Sequence, residues 1–197
     1  TADGGLSEIA DILERMYELA SQASSGSVTD TERAYLDDEF SELIAQVDSI
    51  VESTTYFDTS LLDGTYDENF TVSADASATP ISVTIGTDYD ATGLGINASV
   101  VTTSTTAAAA LTAIETAIET VSAGRASVGA MMSRFDYAAG NIDTAKTNLE
   151  SAMSVYMDAD IAALSAEQTE LGVKMDSAIQ ALSVSNENLE KLSRLLS

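Results

Sequence analysis

The chain has 197 residues and a formal charge of −24, from 32 acidic side chains against 8 basic ones. A polyanion of this kind repels nucleic acid, so recognition of DNA or RNA through a basic patch is excluded. Cysteine and histidine are both absent, which removes disulfides, the usual zinc sites and every catalytic triad built on His or Cys. No apolar run approaches the length of a membrane span, and the opening residues read as mid-domain sequence rather than as a secretory signal.

In chain order, Leu6, Ile9, Leu13, Met16, Ala20 and Ala23 recur at alternating spacings of three and four, which predicts an amphipathic helix over 5–24. Ser24-Ser25-Gly26-Ser27 ends it with turn formers. Thr29-Asp30-Thr31-Glu32 fits a capping box, in which the Thr hydroxyl and the Glu carboxylate satisfy each other's backbone donors. The helix it opens, over 29–54, carries Leu36, Phe40, Leu43, Val47 and Ile50 on one seam, with carboxylates on the outer face.

Between 56 and 104 the pattern changes to short β-branched runs, Phe70–Ser73, Ile81–Ile85 and Ser99–Thr102, divided by Gly, Asp and Pro80. A turn is expected at Leu61-Leu62-Asp63-Gly64 and a loop over 88–95, giving a small β-hairpin lobe whose core is marginal by itself.

From 106 to 156 the three-four spacing returns without interruption by proline, through Leu111, Ile114, Ile118, Val121, Arg125, Val128, Met132, Phe135, Ala139, Ile142, Lys146, Leu149, Met153 and Tyr156. This predicts one long helix whose seam is covered by the two N-terminal helices. Arg125 and Lys146 interrupt the apolar series. Their stems can pack while the charged heads reach water, or Arg125 can pair with a carboxylate on a facing helix and set the register. After Tyr156 the seam slips by one residue and continues through Leu164, Leu171, Met175, Leu182, Leu189, Leu192 and Leu196. A slip of phase means that the last forty or so residues face a different partner or bend relative to the rod. The fold class expected is therefore mainly α, an elongated helical rod packed as a long antiparallel coiled-coil-like bundle, with a small β-hairpin lobe at one end.

At both ends the chain resembles bacterial flagellin. Gly5-Leu6-Ser7-Glu8-Ile9, the run from Leu13 to Ala23, and Phe57-Asp58-Thr59-Ser60-Leu61-Leu62-Asp63-Gly64 are similar to the family's N-terminal rod segment. Arg125-Ala126-Ser127-Val128-Gly129-Ala130, Ser133-Arg134-Phe135 and Asp158-Ala159-Asp160 are similar to its C-terminal rod segment, and Leu192-Ser193-Arg194-Leu195-Leu196-Ser197 to its C-terminus. The resemblance implies N-terminal rod helices over 1–55, a variable β lobe over 56–104, a long rod helix over 105–157 and an inner filament-core helix over 158–197. It also implies that the family's inner N-terminal helix is missing and that the chain is a fragment.

The function implied is structural: a subunit of the flagellar filament, secreted through the flagellar type III system, with other flagellin subunits as partners and an export chaperone on the C-terminal helix. Family positions that contact the Toll-like receptor TLR5 and neighbouring subunits match Arg15, Leu19, Gln22 and Glu39, with Tyr17 in place of a usual basic residue. The rivals are a hook–filament junction protein and an adhesin-like module that uses the β lobe. Acidic clusters at Asp63, Asp67 and Glu68, or at Asp88 and Asp90, lack the spacing of a calcium loop and read as solvated carboxylates. Asn69-Phe70-Thr71 and Asn97-Ala98-Ser99 fit the short N-glycosylation pattern. No catalytic site, cofactor or metal site is expected, nor a membrane partner.

Overall fold

The structure is a computed structural model that describes residues 1–72 and 79–195, with the side chains of 158–160 and of residue 195 left out of the description. Ser73 and Leu196 therefore lie outside the described residues, as do the side chains at the Asp158-Ala159-Asp160 slip. Three helices dominate: α1, Ala2–Ser24; α2, Asp30–Ser53; and α3, Ser104–Leu195. The chain divides into two units, 1–140 and 141–197.

In the first unit α1 buries the face its spacing predicts, with Leu6, Ile9, Leu13, Met16, Ala20 and Ala23 all inaccessible to solvent. The capping box at the start of α2 is formed: the Glu32 N–H donates to the Thr29 hydroxyl at 3.3 Å, and the Thr29 N–H donates to the Glu32 carboxylate at 2.8 Å. The Thr29 backbone N–H, and after it the Thr29 hydroxyl at 2.8 Å, hold the Glu32 carboxyl below its ordinary range. A carboxylate lowered on folding stabilises above its unfolded value, and that contribution is lost as pH falls through the folded one. Thr29→Ala is expected to cost about 1 kcal/mol near neutral pH. Its deficit relative to the parent should shrink on acidification, measured by thermal unfolding across the acid range.

On α2 the buried seam is Phe40, Val47, Ile50 and Val51, with Leu36 and Leu43 only half-buried. Arg33 is buried as well. Its guanidinium donates to the carbonyl of Ala23 (2.8 Å), in the last turn of α1, and to that of Ser25 (2.9 Å), just past its end, which also accepts from the Val28 N–H. It also pairs with Asp30 at 2.9 Å. This cation ties the end of one helix to the start of the next.

The β region holds two antiparallel pairs. β1 (Thr55–Tyr56) pairs with β2 (Thr59–Ser60), and β3 (Tyr66–Phe70) pairs with β4 (Ile81–Ile85) in the register Tyr66 to Ile85. The expected strand over 99–102 does not form. Val101 is buried there, but its N–H donates to the Asp37 carboxylate at 2.7 Å instead of to a neighbouring strand. Asp48 likewise accepts from the Ala91 N–H at 2.8 Å. Two carboxylates of α2, expected only to face water, thus anchor the 86–103 connection. Leu61, Leu62, Tyr89, Leu94 and Ile96 belong to the same core as the helices, so this region shares a core rather than supporting its own. Gly64 turns the chain at φ +75°, and any Cβ there would press on the Asp88 backbone.

On α3 the buried stripe is rotated from the expected seam. Ala107, Ala110, Ile114, Ala117 and Val121 are its centre, with Gly124 also buried. Leu111, Ile118 and Val128 flank it as partly buried side chains. Arg125 and Met132, expected on the seam, are exposed, and Phe135 is half-buried. Coverage by α1 and α2 stops there: Ala139, Ile142, Lys146, Leu149, Met153 and Tyr156 are all exposed. In the second unit every side chain described is exposed, including Leu164, Leu171, Met175, Leu182, Leu189 and Leu192.

Candidate functional site

Among the described residues the chemically distinctive places are surfaces. On α1, Arg15 donates from Nη2 to Glu39 of α2 at 2.7 Å and from Nη1 to Glu18 at 3.1 Å. The hydrogen bond to Glu39 is the main reason its pKa is raised. Gln22 is exposed nearby on the helix, so three of the four expected receptor or subunit contacts reach the surface. Leu19 does not. It is 1% exposed, inside the α1–α2–α3 core, and can support that face but not touch a partner. The three-residue offset from Met16 and the four-residue offset to Ala23 would have placed it there, since both neighbours lie on the buried stripe.

Arg125 pairs through Nε with Asp3 on α1 at 3.3 Å, the carboxylate partner on a facing helix that its seam position allowed for. Both side chains are more than two-fifths exposed, so the pair is screened and contributes little. Arg125→Leu is expected to change the unfolding free energy by less than about 1 kcal/mol, as measured by denaturant titration. A loss of several kcal/mol would assign the pair a structural role.

A second surface is acidic. Glu14, Glu18, Glu115 and Glu119 surround Tyr17, whose hydroxyl lies 3.3 Å from Glu115. Asp63, Asp88 and Asp90 lie near Asp48 and Glu52 in another depression. The aspartates there are occupied in local structure. Asp63 accepts from the Thr65 N–H, Asp88 from the Asp90 N–H and Asp90 from the Gly93 N–H. The Thr65 backbone donor holds Asp63 below the ordinary carboxylate range. Among the described residues no group of His, Cys, Asp and Glu could hold a metal ion, and no helix is long and apolar enough to cross a membrane.

The third surface is the apolar side of the 141–197 unit. Leu164, Leu171, Met175, Leu182, Leu189 and Leu192 are between 57% and 65% exposed. Their spacings of seven, four or three residues are those of a coiled-coil seam, and no other segment of the described chain covers it. A stripe of this length on one helix marks an interaction surface rather than scattered apolar residues.

Taken together, one seam buried and a second exposed among the described residues are the pattern of a helical structural protein. Comparison with known proteins specifies which one. Residues 1–67 match the bacterial flagellin N-terminal helical region and residues 111–196 match the bacterial flagellin C-terminal helical region. The whole chain is 32% identical to a flagellin of Halalkalibacterium halodurans, covering 72% of it, and 31% identical to a flagellin of Listeria monocytogenes, covering 74%. The crystal structure of Bacillus cereus flagellin is similar with a TM-score of 0.64 at 29% identity, over 71% of this chain and 80% of that one. The chain belongs to the bacterial flagellin family. It is accordingly a structural subunit of the extracellular flagellar filament, which assembles from flagellin copies. These matches do not favour the hook–filament junction or adhesin readings.

Proposed function

We propose that the two seams divide the work of this subunit: the first folds its body, and the second joins subunits in the filament core. The observation that carries this is the exposure of Leu164, Leu171, Met175, Leu182 and Leu189 beside the complete burial of Ile114 and Val121. The same open seam is the surface an export chaperone would hold before assembly, which fits export through the flagellar type III system. Arg15, Gln22 and Glu39 are the outward-facing groups through which TLR5 or a neighbouring subunit would contact α1 and α2. Loss of response in a cell reporter assay on Arg15→Ala, in folded protein, tests the receptor part. The role is structural throughout, with no catalysis.

Charge makes assembly conditional. These 197 residues carry −24, so copies of them repel one another, and the repulsion is screened over about 30 Å at 0.01 M salt but about 8 Å at 0.15 M. Filament formation by the full-length protein should therefore rise steeply with salt, read by sedimentation and electron microscopy. Monomers that persist at high salt would count against the reading.

A further inference from the structure

The apolar stripe of the 141–197 unit is broken by one long polar side chain. From Ile161 to Leu192 its members alternate at three and four residues, and Gln168 falls between Leu164 and Leu171. The structure puts it on the same side of the helix: Ile161, Leu164, Gln168 and Leu171 line one depression. Ser185 is the other polar member, and its short hydroxyl can bond a carbonyl of its own helix, as Ser177 does to Val173 at 2.8 Å. A glutamine amide has two N–H donors and a carbonyl to satisfy. Three and four positions from Gln168 lie Leu164, Ser165, Leu171 and Gly172, whose side chains offer it no more than one hydroxyl.

Helices packed through such a stripe fix their register in two ways, by charges that flank it or by a polar group inside it. The first is nearly absent here. Among the flanking positions 165, 172, 179 and 186 on one side and 167, 174, 181 and 188 on the other, only Glu167 and Lys174 are charged. Lys174 is already paired with Glu170 of its own helix at 2.6 Å. Apolar side chains alone fit almost as well when the facing helix slides by one heptad, because the stripe repeats every seven residues. An amide does not, since a slide leaves it buried without its partner.

We propose that Gln168 sets the register of the second seam: the helix that faces it in the filament presents a polar group to this amide, and only one alignment satisfies both. The inference rests on the second seam being the filament-core contact, and names the residue that selects its alignment.

The test uses full-length protein, in which Gln168→Leu makes the stripe apolar at this position. Gln168 is exposed in the single chain, so the body keeps its packing. The critical concentration for polymerisation should fall by about tenfold. In electron cryo-microscopy of the filaments, density over 161–192 should blur or split into registers seven residues apart, with 1–140 still sharp. Gln168→Asn keeps an amide and should keep one register. Ser185→Leu, the control for added apolar area, should tighten assembly with the register unchanged. One sharp register in Gln168→Leu filaments, or the same blurring in Ser185→Leu, overturns the role of Gln168 while leaving that of the seam intact. Unsubstituted filaments in which 161–192 stays open to solvent overturn both.

Discussion

Replacing Leu171 and Leu182 together by aspartate is expected to abolish polymerisation while leaving residues 1–140 folded. Both side chains are exposed in the single chain, at 59% and 63%, so the body loses no packing. In the assembled state each leucine would be buried, and each burial contributes about 1.5–3 kcal/mol. Losing two per subunit removes about 3–6 kcal/mol, or two to four powers of ten in the concentration needed to assemble. Buried aspartates without partners add further cost. Sedimentation reports the assembly, and thermal unfolding reports the body. If the melting temperature falls with the assembly, the two seams are not separable.

Gly124→Ala is the second large expected effect, and its sign runs against helix propensity. Alanine in a helix normally improves on glycine by about 1 kcal/mol. At Gly124 a Cβ would overlap the hydroxyl of Tyr89 and lie 2.7 Å from the ring carbon that bears it. The Tyr89 ring cannot swing aside freely, because its side chain is 3% exposed and its N–H is held by the Leu62 carbonyl at 2.9 Å. The substitution is therefore expected to destabilise by about 2 kcal/mol through overpacking. Gly129→Ala is the control: nothing lies within 4 Å of its Cβ position, so the ordinary gain should appear. Combining Gly124→Ala with Tyr89→Phe should recover part of the loss. Denaturant titration of the four proteins measures all of this.

Gly124 also shows why the long helix was only partly legible. Leu111, Ile118 and Arg125 drew the eye to a seam because large residues carry the periodic signal. The buried stripe runs instead through Ala107, Ala110, Ala117 and Gly124, whose small side chains contribute little hydrophobicity, and at Gly124 the absent side chain makes room for the Tyr89 ring. Ile114 and Val121 lie on both stripes. Local features were the easiest to read: the α1 heptad and the Thr29–Glu32 box depend on residues three or four apart.

The connection over 86–103 was less legible because its partners are distant in sequence. Asp37 and Asp48 satisfy backbone donors at Val101 and Ala91, and nothing in the β-branched run 99–102 announces that a carboxylate will replace a strand. Arg33 was missed for a similar reason, since a charged residue directly after a capping box gives no sign that it closes the preceding helix. Of the surface groups, Arg15 and Glu39 were placed by resemblance and prove to be ion-paired with each other. Leu19 was placed with them, although the heptad of its own helix puts it inside. Past Phe135 apolar periodicity persists, with its slip after Tyr156, while cover by other described residues ends, because a heptad states that a face will be buried without stating by which segment.

Amide hydrogen exchange on the full-length protein, compared between soluble subunit and filament, tests the division between the seams most directly. Backbone amides around Ile114 and Val121 should be strongly protected in both states, since that seam is closed within the chain. Amides from 164 to 192 should exchange rapidly in the subunit and become protected only in the filament. Strong protection of 164–192 in the soluble subunit, or none in the filament, would contradict the account.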